Sequence, residues 1–219
     1  TRFRIFSIQN LQVSNNIDHL ITNSKFLQNF QLNIDNCYFS KFLKSPISMT
    51  LDNNCITVRE NFCNSTSKLT NNCFQDCSSN ENGGALCFEN CEEHIIFQNC
   101  TFINCNSKSA GGAVYIKSST KVIINDSKFY NCFTWNSFTK DKYLYGGTLY
   151  FEDVSEQISV SKSIFESCHS EGQAGGVIFA LNSKSFHLRN ILFDHCYFYH
   201  RSTQYQTYGT GALILNASN

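Results

Sequence analysis

Residues 102–114 read FINCNSKSAGGAV and contain both halves of an internal repeat. The first half is Phe-x-x-Cys, and the second is a pair of glycines followed by a short apolar run. Phe-x-x-Cys recurs at Phe74, Phe102, Phe129, Phe165 and Phe193, ending at Cys77, Cys105, Cys132, Cys168 and Cys196. Glycine pairs alternate with it at residues 83–84, 111–112, 146–147 and 175–176, with a degenerate copy at 210–211. This regular alternation is the signature of a repeat protein.

The spacing of the two halves predicts a solenoid. Each glycine pair precedes the next Phe by 18 or 19 residues, as from Gly83 to Phe102, whereas the distance from Phe to the next pair varies from 9 to 17 residues. All length variation therefore lies in one arc of the repeat. A solenoid has this property because each coil closes at a fixed circumference and extra residues leave it as loops.

The constant arc has the period of a β-strand. The positions seven and five residues before Phe102, Phe129, Phe165 and Phe193 are apolar, and the positions between them are mostly polar. The apolar set is Ile95, Phe97, Val122, Ile124, Ile158, Val160, Phe186 and Leu188. The position three residues before the Phe holds Asn, Asp or Lys. A recurring Asn at this position favours a left-handed turn and an amide stack between coils. The glycine pair is suited to a sharp corner.

These patterns predict an all-β protein, a right-handed parallel β-helix. We expect about six to eight coils of about 28 residues, with three short strands in each. The chain is predicted to be a single domain over residues 1–219, with degenerate coils in 1–70 and regular coils in 71–219. Two long loops are expected at residues 133–145 and 197–208.

The alternation of G-G-A-[ILV] with F-x-x-[NC] resembles the repeat of polymorphic outer-membrane proteins and, beyond it, the pectin-lyase-like superfamily. The Asn- and Phe-rich, Pro-poor sequence is also similar to large β-helix surface proteins of single-celled eukaryotes. The resemblance covers roughly residues 30–219, and Cys stands here where the repeat usually has Asn. It implies a β-helix and a range of functions that includes adhesins, glycan lyases, glycosidases and structural fibres.

Composition limits the possible functions. The 17 basic and 17 acidic residues balance, with no basic stripe of the kind that nucleic-acid-binding proteins carry. No apolar run approaches the roughly 18 residues that span a bilayer, so a membrane anchor would lie outside this piece. Four glycosylation sequons start at Asn64, Asn99, Asn125 and Asn216. With an even count of 12 cysteines they indicate an extracellular or cell-surface protein from the secretory pathway; a reduced intracellular protein is the alternative.

The repeated cysteines are expected to form a column. Adjacent coils would place their Cα atoms about 4.8 Å apart, within disulfide range, so the column is either a set of buried thiols or partly bridged. Cys73, Cys77, Cys87 and Cys91 could also be read as a zinc site. Because the repeat already accounts for Cys77, we expect no metal, and the sequence indicates no cofactor.

Aromatic residues are concentrated in the two expected loops, and exposed aromatics mark protein or sugar interfaces. They are Trp135, Phe138, Tyr143 and Tyr145 in the first loop, and Tyr197, Tyr199, Tyr205 and Tyr208 in the second. They either bind a partner or fold back onto the sheet. We expect a non-catalytic structural or adhesive surface module that binds protein or glycan.

Two alternative functions remain open. The first is a polysaccharide lyase or glycosidase, for which Asp194-His195 is the nearest match to a catalytic pair. The acids otherwise lack the consecutive pattern of pectin-degrading enzymes, so we expect no catalysis. The second is a subunit of a larger filament or complex assembled end to end, because solenoids expose strand edges at their ends.

Overall fold

The computed structural model describes residues 4–16, 18, 20–24, 30–50, 66–90, 94–135, 147–171, 176–201, 206–209 and 213–216. All regular structure in these ranges is β-strand. They contain no helix, and therefore none with the length and apolarity needed to cross a membrane. The predicted all-β class is confirmed.

The strands follow one another in seven coils. Coils 1 and 2 have three strands each: β1 (Arg4–Gln9), β2 (Gln12–Ser14), β3 (Ile21–Ser24), β4 (Phe30–Asp35), β5 (Tyr38–Ser40) and β6 (Ile47–Thr50). Coils 3 and 4 have four each: β7 (Thr66–Thr70), β8 (Cys73–Gln75), β9 (Ser78–Ser79), β10 (Leu86–Glu89), β11 (His94–Gln98), β12 (Thr101–Ile103), β13 (Asn106–Ser107) and β14 (Val114–Lys117).

Coils 5 and 6 also have four strands each, and coil 7 has five. The strands of coils 5 and 6 are β15 (Lys121–Asn125), β16 (Lys128–Tyr130), β17 (Phe133–Thr134), β18 (Leu149–Glu152), β19 (Gln157–Ser161), β20 (Ile164–Glu166), β21 (His169–Glu171) and β22 (Ile178–Leu181). Those of coil 7 are β23 (Phe186–Arg189), β24 (Leu192–Asp194), β25 (Tyr197–Arg201), β26 (Gln206–Gly209) and β27 (Leu213–Asn216).

Equivalent strands of successive coils stack into four sheets, which we number in the order in which the chain visits them. Sheet 1 has the order β1-β4-β7-β11-β15-β19-β23, sheet 2 the order β2-β5-β8-β12-β16-β20-β24, sheet 3 the order β9-β13-β17-β21-β25-β26, and sheet 4 the order β3-β6-β10-β14-β18-β22-β27. Every pairing is parallel except that of β25 with β26. The predicted parallel solenoid is confirmed.

The number of strands per coil differs from the sequence prediction of three. Coils 3–7 have a fourth strand, in sheet 3, between the Phe-x-x-Cys motif and the glycine pair. In coils 3–5 it is only two residues long, β9, β13 and β17. A two-residue strand is too short to produce the alternation from which strands are read in a sequence.

The core is a continuous apolar column inside the four sheets. Sheet 1 contributes the predicted apolar positions in register, with Ile95 opposite Val122 and Val122 opposite Ile158. Sheet 2 contributes the repeated Phe, whose rings stack at centroid distances of 4.7–5.2 Å from Phe39 through Phe193. Each such buried side chain contributes about 1.5–3 kcal/mol. No coil forms this core alone.

Left-handed residues turn the chain at three corners of the coil. The corner after sheet 1 has φ between 48° and 56° at Asn10, Asn36, Asn71, Asn99, Asp126, Lys162 and Asn190. The Asn99 Nδ2 donates to the Asn71 Oδ1 at 2.8 Å, and Asn36 to Asn10 at 2.6 Å. These bonds confirm the expected amide stack between coils. At the predicted glycine corner, Gly83 and Gly111 have φ of 61° and 65°.

Candidate functional site

Sheet 3 differs from the other sheets in its inward face, which is polar. Its inward positions hold small hydroxyl residues that are buried, Ser79, Ser107, Thr134 and Ser170. Two of these hydroxyls bond each other, with Thr134 Oγ1 and Ser170 Oγ 3.1 Å apart. Its outward positions in coils 5–7 hold rings, Phe133, His169 and Tyr197, in register with one another. Buried polar and outward apolar residues are the informative exceptions in a folded chain.

The close approach of sheet 3 to the glycine corner explains the small inner residues. A Cβ on Gly112 would lie 2.3 Å from the Phe133 carbonyl oxygen, and one on Gly147 would lie 2.4 Å from that of His169. The two backbones are therefore in direct contact. The side chains that face inward beside this contact are small, Ser107, Thr134 and Ser170, and the rings of these strands lie on the outer face.

The outer face of sheet 3 in coils 5–7 carries a row of stacked rings. The Phe133 and His169 centroids are 4.6 Å apart with planes 6° apart, and His169 and Tyr197 are 4.7 Å and 4° apart. Trp135 lies two residues beyond Phe133. We call Phe133, Trp135, His169 and Tyr197 the aromatic strip. The side chains of Tyr197 and Trp135 are 41% and 36% exposed, so the strip is accessible to solvent.

Coil 4 holds Trp135 in place. The indole Nε1 donates to Asn106 Oδ1 at 3.1 Å, and the Trp135 amide donates to the Ser107 carbonyl at 3.0 Å. The Lys108 Nζ lies 5.2 Å from the ring centroid, within cation–π range. These contacts fix the orientation of the indole and place one positive charge beside the strip.

His169 is the titratable member of the strip. Burial between the two neighbouring rings lowers the pKa of its imidazole below the ordinary value, and the Ser167 carbonyl, 3.5 Å from Nδ1, and the nearby Glu171 carboxylate oppose this shift. The ring is therefore neutral at pH 7, and the strip has Lys108 and Glu171 as charged neighbours.

The predicted binding residues fall into three groups. Trp135 and Tyr197 lie in the aromatic strip. Tyr199 and Tyr208 are paired across the antiparallel strands β25 and β26, so residues 197–208 begin and end as a β-hairpin in sheet 3 instead of a loop. The first expected loop likewise begins inside a strand, β17. Phe138, Tyr143, Tyr145 and Tyr205 lie outside the described residues.

Sequence reasoning missed His169, Asn106 and Lys108 as site residues. A signal for two of them exists in the repeat, because the outward position of sheet 3 directly follows the repeated Cys. Its occupants in coils 3–7 are Ser78, Asn106, Phe133, His169 and Tyr197. Read in this register, the sequence turns from polar to aromatic along the solenoid.

The repeated cysteines line the core beside sheet 3. All described cysteines are free thiols. Each thiol of the column donates to the carbonyl of the repeated Phe one coil earlier, as Cys105 does to Phe74 at 3.5 Å and Cys132 to Phe102 at 3.6 Å. Burial raises the pKa of Cys105, so this thiol stays protonated.

The other predicted chemical groups do not converge with the strip. Cys77 lies in the core and Cys87 in a separate apolar cluster on the outer face of sheet 4, while Cys91 is outside the described residues. No group of three metal-binding side chains occurs in the described ranges. Asp194 and His195 pair at 2.7 Å on an exposed corner of coil 7.

The sequons occupy different surroundings. Asn99 is exposed at a corner, where its amide takes part in the stack between coils. Asn125 is half-buried in β15 and donates to the Asp126 carboxylate at 2.6 Å. Asn216 lies in β27, and Asn64 is outside the described residues. Glycosylation at these four positions stays a prediction.

The strip presents ring edges outward. Because both faces of His169 are covered by its neighbours, stacking against the flat side of a sugar is not available to this ring. Ring edges carry partial positive charge and favour edge-to-face contacts with other aromatic groups. The arrangement is therefore suited to contact with apolar and aromatic side chains.

Comparisons with protein families, curated proteins and solved structures found no match to this chain.

Proposed function

We propose that the chain is a non-catalytic structural or adhesive module whose aromatic strip docks a protein partner. The observation that carries the proposal is the aromatic strip itself, a row of rings on the outer face of sheet 3 in which Trp135 and Tyr197 are exposed. Exposed aromatic rows of this kind are typical of interface centres, because rigid rings bury much area at small entropic cost. Lys108 at the edge adds a charge of the kind found in interface rims.

A protein is the better candidate partner than a glycan. Sugar platforms need open ring faces, and the stacked rings of the strip offer edges. The row also runs parallel to the solenoid axis, across β17, β21 and β25, so it contacts a partner along three coils. Outward stacking pairs contribute about 0.5–1.5 kcal/mol each, which keeps the rings in place before the partner arrives.

We further infer an extracellular or cell-surface location and a distant relation to the pectin-lyase-like superfamily and to polymorphic outer-membrane protein repeats. The four sequons and the even cysteine count support the location. The alternation of glycine pairs with Phe-x-x-Cys supports the relation. Intact-mass measurement of the protein from its native source tests the location, since an unglycosylated protein would contradict it.

The docking proposal is tested with a triple variant, Phe133→Ser, Trp135→Ser and Tyr197→Ser. The native protein and the variant are immobilised and exposed to surface proteins of the source cells. We expect the native protein to retain a defined set of proteins that the variant loses at least tenfold, while both keep the same β-type circular dichroism. Tyr130→Ser is the matched control, because Tyr130 is a half-buried outward ring of coil 5 in sheet 2.

Three outcomes would contradict the proposal. Retention of the same proteins by the triple variant would exclude the strip as the docking surface. Binding to a glycan array that the triple variant loses would assign the strip to a sugar. Turnover of acidic or neutral polysaccharides, abolished by replacing one or two acids, would favour the enzyme.

A further inference from the structure

The outer face of sheet 4 carries a second row of rings, and this row is buried. Tyr115, Tyr150 and Phe179 are 6%, 4% and 4% exposed. Their rings are nearly parallel, with centroids 5.1 Å apart between Tyr115 and Tyr150 and 5.4 Å apart between Tyr150 and Phe179. The two tyrosines occupy equivalent positions of coils 4 and 5, since β14 and β18 pair in register. The surroundings of their hydroxyl groups can therefore be compared directly.

The two hydroxyls differ in their partners. Tyr150 Oη donates to Glu152 Oε2 at 3.0 Å, on the residue two places later in the same strand. The residue two places after Tyr115 is Lys117, whose ammonium group has no acceptor to offer. Among the described residues the Tyr115 hydroxyl has no hydrogen-bond partner. A buried hydroxyl without an acceptor is costly and is the exception in a folded protein.

Charged groups border the Tyr115 hydroxyl. Because the Tyr115 ring is parallel to that of Tyr150, its hydroxyl points toward the next outward position, Lys117. The Lys117 Nζ donates to Glu152 Oε1 at 2.7 Å, and Glu89 is paired in register with Lys117 from the other side. We call Tyr115, Lys117, Glu89, Glu152 and Asp153, at the corner after β18, the sheet 4 cluster. The side chains of Lys117 and Glu152 are 37% and 18% exposed, so the cluster opens to solvent along its charged row.

The cluster holds both donors and acceptors at neutral pH. Burial raises the pKa of the Tyr115 phenol above its ordinary value, and the Glu89 and Glu152 carboxylates raise it further, so the phenol stays a neutral donor. The hydrogen bond to Glu152 raises the pKa of Lys117, which keeps the ammonium group protonated. One of its three N–H groups binds Glu152, and the others add to the donors. Glu89 and Asp153 act electrostatically on both Tyr115 and Lys117, so their carboxylates are close acceptors.

This mixture of groups selects the chemistry of a ligand. A carboxylate or phosphate would accept from Tyr115 and Lys117 but would be repelled by the three acids of the cluster. A cation would be attracted by the acids, yet it would be repelled by Lys117 and would leave the Tyr115 hydroxyl without an acceptor. A hydroxyl group accepts one hydrogen bond and donates another. Neighbouring hydroxyls on one ligand therefore satisfy both sides of the cluster.

We propose that the sheet 4 cluster binds a neutral polyhydroxylated ligand, a saccharide or a free polyol. One ligand hydroxyl accepts from Tyr115 Oη and Lys117 Nζ, and a neighbouring hydroxyl donates to the carboxylate of Glu89 or Asp153. The cluster lies on a different sheet from the aromatic strip, so its binding is independent of protein docking there.

The test uses Tyr115→Phe, which removes the hydroxyl and keeps the ring stack. The matched control is Tyr130→Phe, at an outward tyrosine of sheet 2. The probes are an array of neutral oligosaccharides and, by calorimetry, myo-inositol and sorbitol. We expect the native chain to bind at least one probe, Tyr115→Phe to bind it at least tenfold more weakly, and Tyr130→Phe to bind it as the native chain does. Binding confined to the array would identify a saccharide, and binding confined to the free probes a polyol.

Unfolding without any probe gives a second readout. Because Tyr115→Phe removes a buried hydroxyl that has no partner, its urea midpoint should lie above that of the native chain. Tyr150→Phe loses the bond to Glu152, so its midpoint should lie below the native one. A lower midpoint for Tyr115→Phe would show that the hydroxyl has a structural partner and would overturn the inference. So would a native chain that binds none of the probes, or binding that Tyr115→Phe retains in full. The triple variant of the aromatic strip should bind the probes as the native chain does, and loss of binding there would place the saccharide on the strip instead.

Discussion

At the scale of single residues, His169 makes stability depend on pH. The pKa of a histidine in an unfolded chain is about 6.5, and burial in the aromatic strip lowers the pKa of His169 in the folded protein. Between the lowered folded value and about 6.5, the unfolded chain binds more protons than the folded one. The contribution to the free energy of unfolding is therefore fully present above about pH 6.5 and is lost as the pH falls below it.

Replacing His169 by Phe tests whether this histidine makes the protein less stable as the pH falls. The Phe ring preserves the stack with Phe133 and Tyr197 and removes the titration. We expect the urea midpoint of the native protein to fall between about pH 7 and pH 5 more steeply than that of His169→Phe. His187→Phe, at an exposed position of sheet 1, is the control for the loss of a histidine outside the strip. Equal slopes for the native protein and His169→Phe would show that the strip histidine does not cause the dependence.

Gly112 is a second residue on which the fold depends, because the backbone of sheet 3 lies too close to it for a side chain. A methyl group there would meet the backbone carbonyls of Phe133 and Gly147 at 2.3 and 2.4 Å. We expect Gly112→Ala to lower the free energy of unfolding by about 1–3 kcal/mol, because sheet 3 must move away from the corner. Ala113→Gly, the reverse change at the next position, should cost about 0.5–1 kcal/mol. Urea denaturation compares the two, and a neutral Gly112→Ala would show that the corner has room.

At the scale of elements, inner and outer ring stacks differ in what they stabilise. Phe129 is fully buried between Phe102 and Phe165, whereas Phe133, four residues later, stacks only on the outer face. We expect Phe129→Ala to cost about 3–5 kcal/mol and Phe133→Ala about 0.5–1.5 kcal/mol. Similar losses in equilibrium unfolding would mean that the outer row is part of the structural core, which would remove the reason for assigning it a binding role.

Three buried thiols of the cysteine column, Cys77, Cys105 and Cys132, should be chemically inert while the strands around them are formed. Burial raises the pKa of Cys105 and Cys132 well above the ordinary value, and thiols react as thiolates. We expect iodoacetamide at neutral pH to label Cys73 and Cys196, the half-buried thiols, and to reach Cys77, Cys105 and Cys132 only after unfolding. Peptide mass spectrometry distinguishes these sites, and disulfides between column members would contradict the thiol form of the column.

Three of the four sheets could be predicted from the sequence because each of their strands carries a pattern that is long enough to recognise in every coil. Sheet 1 alternates over five residues, and sheets 2 and 4 carry the Phe and glycine motifs. Sheet 3 was not predictable in the same way. Its strands are two residues long in coils 3–5, and its inner Ser and Thr look like loop residues until the glycine contact is known. The antiparallel turn of β26 depends on pairing with β25, which no local pattern encodes.

The candidate site was partly predictable for the same reason. Aromatic content alone pointed to Trp135 and Tyr197, but their relation through His169 depends on the stacking of coils. Asn106 could not be predicted as a site residue, because its role is to accept a hydrogen bond from the indole N–H of Trp135, which lies one coil away. Residues whose partners lie in the next coil are found only when the register is counted from the repeated Cys.

At the scale of the whole molecule, stability comes from contacts between neighbouring coils. In the described residues, ion pairs are few and mostly exposed, such as that of Lys44 with Asp18. Exposed ion pairs contribute little to the free energy of unfolding. The apolar column and the backbone ladders continue from coil to coil. Free energy in such a protein is close to a sum over coils and the junctions between them. Among the described residues, coils 1 and 7 pack against one neighbouring coil each, so these two coils should open most easily.

Amide hydrogen exchange measures this difference directly. In dilute solution we expect the amides of β1 and β23 to exchange faster than those of β11 and β15, although all four strands lie in sheet 1. β1 and β23 each pair with one described strand, whereas β11 and β15 each pair with two, so the amides of the outer strands lose their partners in fewer opening steps. Outer strands that exchange as slowly as the central ones would refute the additive view of the coils.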